Sequence, residues 1–342
     1  MKEAQFYRIT PEGKAVCELC PQACQLAEGK MGFCKARQYR DGRLFSRNYG
    51  LISGLALDPI EKKPLYHYYP GKPILSVGTI GCNLACAFCQ NWHISREEAP
   101  ARAVSIEELV GLAEETHREH GNIGLAYTYS EPTVWFEFLV EVMPAIRAAG
   151  LKNVLVTNAF LNPKPWEMLL QWADAANIDL KGFTDEYYQR LCRGKLSPVL
   201  DNIRTAAERI HLELTTLIIP GENDIPEMIE ALSAWVARID PEIPLHLSRY
   251  YPNERFTLPP TPLAVMERAY TIASGYLKYV YLGNMGKENT TCCPDCGKVW
   301  VEREGYRIRL LVRGNHCPGC NRKIKIPMED SPLAERNKDT KS

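Results

Sequence analysis

The chain has 342 residues, with 41 Lys and Arg set against 41 Asp and Glu. That length accommodates one large domain with appendages, and the balanced charge supplies no global field for nucleic acid or an anionic membrane. No apolar run approaches the ~18 residues of a membrane span, and Met1–Gln5 lacks the apolar core of a signal peptide, so a cytosolic location is expected.

Thirteen cysteines is a high count for a reducing compartment, where clustered thiols point to metal rather than disulfides. Twelve of them fall near 17–34, 82–89 and 292–320. Cys192 stands alone and reads as a passive core or loop thiol.

The first group is Cys17, Cys20, Cys24 and Cys34, with Pro21, Gly29 and Gly32 supplying turns. Four thiols in so short a stretch could close a zinc site or hold an iron–sulfur cluster; spacing does not choose between them. Between 48 and 71, Pro59, Pro64 and Pro70 exclude a helix through most of the segment. It reads as an ordered loop whose Glu61, Lys62, Lys63 and His67 face either a substrate or, on composition, solvent.

An apolar run, Pro73–Ile80, is long enough for a buried strand, and Gly81 permits a sharp turn into Cys82-Asn83-Leu84-Ala85-Cys86-Ala87-Phe88-Cys89. Soft thiolates select iron–sulfur clusters, zinc or Cu(I). Structural zinc and most electron-carrying clusters take four protein ligands. Three thiols therefore suggest a cluster with one position left free; the alternative is a zinc knuckle with a remote fourth ligand.

From 73 onward strand and helix signals alternate. Apolar runs recur at Ile123–Tyr129, Asn153–Thr157, Ala175–Leu180, Leu212–Ile219, Leu245–Tyr250 and, more weakly, Tyr279–Leu282. Amphipathic helices between them have start signals at Ser105 with Glu108, Ser197 with Pro198, Asp224 with Glu227, and Thr261 with Pro262. About six β/α units in series predict an α/β fold with parallel strands in a full or partial barrel. Chemistry in such folds sits at the C-terminal strand ends, where the Cys82–Cys89 loop falls. Glu131, Asn158 and the pair Asp179 and Lys181 share that address, and His246 comes near the end of the sixth strand.

Past 290, Cys293-x2-Cys296 and Cys317-x2-Cys320 are separated by 20 residues, a four-thiolate zinc spacing. Val299–Val301 and Tyr306–Leu311 read as a hairpin between them, which predicts a zinc ribbon with Cys292 spare; an iron–sulfur cluster is the competitor. So short a module needs metal to fold. The charged tail from Met328 lacks periodicity and is expected to be disordered.

The Cys82, Cys86, Cys89 spacing, with Phe88 before the last Cys, resembles the signature of radical S-adenosylmethionine (SAM) enzymes. The resemblance implies a [4Fe–4S] cluster on these three thiolates, SAM on its free iron, and Phe88 near the adenine. Together with Tyr127–Thr133, Asp179-Leu180-Lys181 and His246–Pro252, the chain is similar to pyruvate formate-lyase activating enzymes. It is closer still to their relatives, the AmmeMemoRadiSam system radical SAM enzymes, over roughly residues 15–325. By that resemblance Glu131 meets the SAM amino group, and Asn158, Asp179, Lys181 and His246 line the rest of the pocket. Ser130 departs from a usual Gly. Val156 replaces the Asp that helps hold a monovalent cation in the formate-lyase activators.

The resulting expectation is a partial (β/α)6-type TIM barrel, the radical SAM core, over 73–288. A Cys-rich extension occupies 1–72, a zinc-ribbon-like module 289–327 and a disordered tail 328–342. The expected activity is reductive cleavage of SAM to a 5′-deoxyadenosyl radical that abstracts hydrogen from a substrate. The resemblance implies Memo-like and Ammecr-type partner proteins and a low-potential donor of the flavodoxin or ferredoxin kind. Alternatives are a glycyl-radical enzyme activase and a non-catalytic metal–thiolate electron carrier or zinc-ribbon nucleic-acid binder.

Overall fold

A computed structural model describes residues 1–97, 99–253, 255–286 and 288–328. Its centre is an eight-stranded sheet whose spatial order follows the chain. The strands are β1 (Gly54–Pro59), β2 (Pro73–Gly78), β3 (Gly124–Tyr127), β4 (Lys152–Thr157), β5 (Ala175–Asp179), β6 (His211–Ile218), β7 (Leu245–Arg249) and β8 (Val280–Gly283). From β2 to β8 every pairing is parallel. Strand β1, which the sequence reading leaves in the N-terminal extension, pairs antiparallel with β2 from Gly54↔Gly78 to Pro59↔Pro73. Among the described residues no ladder joins β8 to β1.

Among the described residues six helices of eight residues or more connect the parallel strands: α1 (Ile106–His120), α2 (Phe136–Ala148), α3 (Pro163–Leu170), α4 (Leu196–Ala207), α5 (Pro226–Ile239) and α6 (Leu263–Ser274). Sheet strands sheltered in this way read as near-continuous apolar runs, which is why they stand out in the sequence. Helix α1 starts as expected: the Ser105 hydroxyl accepts the Glu108 N–H at 3.0 Å. The other three starts are shifted. Helix α4 begins at Leu196, with Ser197 already inside it. Helices α5 and α6 are capped at Ile225 and Pro262. Asp224 instead accepts the Gly221 N–H, and Thr261 donates to Ile218 O and accepts from Tyr250. Turn and interstrand contacts have claimed these polar side chains, and in α5 a proline at the first position pre-sets the helical φ.

The antiparallel β1 carries the chain to the N-terminal end of the parallel strands, and residues 60–72 cross beneath it. This corrects the solvent-facing reading for three of the four charged residues. Glu61, Lys63 and His67 are buried, and of the four only Lys62 is exposed. Lys63 Nζ lies 2.8 Å from Asp58 Oδ2, Glu61 accepts the Gly71 N–H at 2.8 Å, and His67 Nε2 meets the Tyr281 hydroxyl at 2.6 Å. A buried polar group persists only when it is partnered: Lys63 has the Asp58 carboxylate, Glu61 a backbone N–H and His67 a hydroxyl inside the fold.

Two small modules flank the sheet. The N-terminal one has two three-stranded antiparallel sheets: Lys2–Glu3, Arg37–Arg40 and Arg43–Ser46, and Tyr7–Ile9, Ala15–Cys17 and Gln25–Leu26. The C-terminal one pairs Asn289–Cys292, Val299–Glu304 and Arg307–Leu310. Its core of Trp300, Val301, Ile324 and Ile326 packs with Tyr281 of β8 and with Tyr279 just before that strand. Met328 belongs to that core and is buried, so the tail does not begin there. Residues 329–342, the rest of that tail, lie outside the described residues.

Candidate active site

At the C-terminal end of β2 the chain turns at Gly81, whose φ is +96°. A Cβ there would stand 2.5 Å from Cys34 O, so the position requires glycine twice over. The loop that follows is held by backbone groups from distant segments. Cys82 N–H donates to Cys34 O at 3.2 Å, Ala85 N–H to Cys192 O and Ala87 N–H to Leu191 O, both at 2.9 Å. Asn83 donates to Phe160 O at 2.6 Å, and Arg96 Nη1 spans Phe33 O and Cys82 O at 3.0 and 3.3 Å. Phe88 is buried, its ring 6.2 Å from Tyr187 and 6.3 Å from Phe256.

Glu131 and Asn158, which follow β3 and β4, meet Cys82 in one network. Asn158 Nδ2 lies 3.7 Å from Cys82 Sγ and 3.0 Å from Asn83 Oδ1, while its backbone N–H donates to Glu131 Oε2 at 2.8 Å. Glu131 Oε1 accepts from Thr133 N–H, Thr133 Oγ1 and Thr157 Oγ1 at 3.0, 2.7 and 2.6 Å. The carboxylate is 2% exposed, and burial pushes its pKa up against these four donors. An ionised carboxylate has about four lone-pair sites, two on each oxygen. Oε1 is thus saturated, and Oε2 retains room for one further donor.

Asp179, the last residue of β5, and Lys181 pair at 3.1 Å. Burial opposes the lysine charge, yet Asp179 and the nearby thiols of Cys86 and Cys192 hold its pKa well above the usual value. Burial pushes the Cys82 thiol well up, with Glu131 adding to it. Cys86 is held down, first by a hydrogen bond from Cys192 and then by Lys181.

Two residues at this end of the sheet make contacts that sequence reasoning misses. Cys192 is a buried core thiol, as its isolated position implies, and it also contacts Cys86. No spacing signal connects two cysteines 106 positions apart; the backbone bonds to Ala85 and Ala87 bring them together. Tyr129 adopts φ +71°, a region that favours glycine, and its hydroxyl donates to Asp58 Oδ2 at 3.0 Å beneath the Lys63 ammonium. The unusual Tyr-Ser before Glu131 was the available signal.

His246 lies elsewhere. It is the second residue of β7, near the start of that strand, and its Nε2 is 2.7 Å from Glu213 Oε2. That fully buried carboxylate also accepts from Tyr66 N–H, His67 N–H and His211 Nε2 at 2.9, 2.7 and 3.0 Å. Burial opposes its charge, but its histidine partners hold Glu213 well below the usual carboxylate range. His246 thus packs at the N-terminal end of the sheet, with Tyr66 and Tyr281 against its ring. A cavity of about 670 Å³ also opens away from the Cys82 loop, between α4, α5 and the C-terminal module.

In that module Cys293 and Cys320 Sγ are 3.5 Å apart, Cys296 and Cys317 3.6 Å, and all four lie within 4.8 Å of one another. Cys292 stands outside the group, as its spacing implies. In the N-terminal module Cys17, Cys20, Cys24 and Cys34 line one small cavity together with Arg37 and Val134. Burial pushes Cys20 well up, with the other three thiols adding to it.

Comparison with known proteins fits this arrangement. The model of the radical SAM superfamily matches residues 76–233, a span that contains the Cys82 loop, Glu131, Asn158, Asp179 and Lys181. The uncharacterised protein MJ0808 of Methanocaldococcus jannaschii is 38% identical over 338 residues, 95% of this chain and 99% of that protein. A pyruvate formate-lyase-activating enzyme of Staphylococcus epidermidis is 22% identical over 171 residues, 47% of this chain and 68% of that enzyme. Streptococcus suis SuiB bound to S-adenosylmethionine shares the fold, with TM-score 0.50 and 14% identity over 69% of this chain and 54% of that chain. Among the described residues no helix is long and apolar enough to cross a membrane. Membership implies a [4Fe–4S] cluster and SAM, and it sets aside the non-catalytic alternative. The chain is an enzyme and belongs to the radical SAM superfamily.

Proposed function

We propose that Cys82, Cys86 and Cys89 hold the [4Fe–4S] cluster, and that SAM binds its remaining iron beside Glu131 and Asn158. The observation that carries this reading is the Asn158 bridge, which ties Cys82 Sγ to the one carboxylate oxygen with an acceptor site to spare. Three soft donors fit an iron–sulfur cluster, and Glu131 Oε2 fits an amino group. When bound, the cluster supplies an electron to the SAM sulfonium, giving methionine and a 5′-deoxyadenosyl radical that takes hydrogen from a substrate. The protein orients the reactants and excludes water and oxygen. Phe88, fixed in its aromatic cluster, flanks the adenine, and Asp179 with Lys181 lines the same end of the sheet.

Within the superfamily we place the chain with the AmmeMemoRadiSam system enzymes, working in the cytosol with Memo-like and Ammecr-type proteins and a flavodoxin- or ferredoxin-like donor. Cys293, Cys296, Cys317 and Cys320 bind zinc, and Cys17, Cys20, Cys24 and Cys34 bind zinc or iron and sulfide. Similarity to a formate-lyase activator favours a second reading, activation of a glycyl-radical enzyme. Anaerobically reconstituted protein with dithionite and SAM should release 5′-deoxyadenosine, and Cys82→Ala, Cys86→Ala or Cys89→Ala should each abolish it. Full release by any of these variants contradicts the assignment. A glycyl radical detected by EPR in a co-incubated partner supports the second reading.

A further inference from the structure

The thiol groups differ in how closely they gather. Zn–S bonds of about 2.3 Å put tetrahedral sulfurs roughly 3.8 Å apart, and the C-terminal four, at 3.5 and 3.6 Å for two pairs, suit a single ion. Among the described residues no other group of three or more such ligands closes within 4.8 Å. Cys82, Cys86 and Cys89 therefore stand wider, and so do Cys17, Cys20, Cys24 and Cys34. A cubane interposes four irons and four sulfides between its ligating sulfurs, which separates them more than a single ion does.

The N-terminal four do not stand apart for want of a common centre, since all of them line one cavity. Arg37 completes its wall. This side chain is 1% exposed, its Nη2 lies 2.8 Å from Glu137 Oε2, and its Nε and Nη1 have no hydrogen-bond acceptor among the described residues. A buried N–H left unpaired costs about 1–3 kcal/mol. Cluster sulfurs accept such hydrogen bonds, which also help set the reduction potential.

We propose that Cys17, Cys20, Cys24 and Cys34 hold a second [4Fe–4S] cluster, fully ligated by the chain, that relays single electrons to the cluster on Cys82, Cys86 and Cys89. The relay rests on the function proposed for that loop. The two sites adjoin through backbone: Cys34 C=O accepts the Cys82 N–H at 3.2 Å, and Gln22 Nε2 donates to Asn83 O at 3.0 Å. Cys17, Cys20 and Cys34 are buried, while Cys24 is partly exposed and marks the edge where a donor would dock. A reduced flavodoxin- or ferredoxin-class donor gives one electron, taking the outer cluster from 2+ to 1+. That electron passes to the inner cluster and the outer one returns to 2+, with no bond made or broken.

The test compares the wild-type chain with a Cys82→Ala/Cys86→Ala/Cys89→Ala variant, both reconstituted anaerobically with iron and sulfide. Wild type should hold about eight irons and the variant about four, one cubane fewer. The dithionite-reduced variant should give an EPR signal that SAM leaves unchanged. Fully reduced wild type should show signals broadened by spin coupling between neighbouring clusters. A Cys17→Ser/Cys20→Ser variant should lose the SAM-insensitive signal; if it does not fold, the first variant still decides. A triple variant free of iron and holding about two zinc ions, one per four-thiolate site, overturns the second cluster. Two clusters without mutual broadening overturn the relay. Iron retained in the triple variant, with no SAM-responsive signal in wild type, removes the function proposed for the Cys82 loop but leaves the outer cluster in place.

Discussion

The backbone N–H of Asn158 donates to Glu131 Oε2 at 2.8 Å, which leaves that oxygen one acceptor site in an otherwise saturated, buried carboxylate. Replacing Glu131 with Gln keeps the shape and removes the charge. SAM affinity should fall about tenfold to hundredfold, corresponding to the 1.5–3 kcal/mol of a hydrogen bond to a charged group. Equilibrium dialysis on reconstituted protein measures it. The four existing donors also lose charge assistance, so the melting temperature should drop as well.

Gly81 turns the chain from β2 into the Cys82 loop, tight against Cys34 of the N-terminal module. Gly81→Ala places a Cβ 2.5 Å from Cys34 O in a backbone region that disfavours side chains. The strain alone is about 1–3 kcal/mol. Iron content should fall together with thermal stability, whereas Gly111→Ala, in α1 with open space around it, should leave both intact.

Much of the site was legible because it is local. A loop of three cysteines after an apolar run can be read without knowing the fold, as can Ser105 capping α1 or the paired Cys-x2-Cys motifs of the C-terminal module. His246 was misplaced because alternation gives the face of a strand but not the height along it. What claims His246 is Glu213, buried because residues 60–72 fold beneath the sheet. The charges of that segment looked solvated because its burial is set by the sheet above it: Asp58 and Gly71 are near in the chain, but Tyr281, the partner of His67, is 214 positions away. Cys192 joined Cys86 through backbone bonds that carry no side-chain signature.

That base makes the fold sensitive to acid. Burial lowers His67 to about 3 from its ordinary value of 6.5, so it stays neutral in the fold while the unfolded chain takes up a proton below about 6.5. Stability is therefore lost as pH falls from about 6.5 toward 3, by about 1.4 kcal/mol per unit. Glu213, held below its ordinary value, acts in the same direction: its contribution is present above about 4.5 and fades as pH falls through its folded value. Melting temperature should decline from pH 7 to pH 5, with a shallower slope in His67→Gln; equal slopes would contradict this assignment.

Removing the zinc proposed for Cys293, Cys296, Cys317 and Cys320 should unfold the C-terminal module selectively. A structural zinc contributes about 10–16 kcal/mol to small domains of this kind, and the Arg303 bond to Tyr66 O at 2.6 Å is a main tie to the base of the sheet. After chelation, hydrogen exchange should accelerate across Asn289–Met328 while β3 to β6 keep their protection. Cys293→Ala should reproduce the effect without a chelator.

Mössbauer spectroscopy of the Cys17→Ser/Cys20→Ser variant, loaded with ⁵⁷Fe and recorded with and without SAM, addresses the central claim most directly. One iron of the cubane should change its isomer shift and quadrupole splitting when SAM is added, because Cys82, Cys86 and Cys89 ligate only the other three. Four irons already ligated by the chain, with spectra unchanged by SAM, would contradict it.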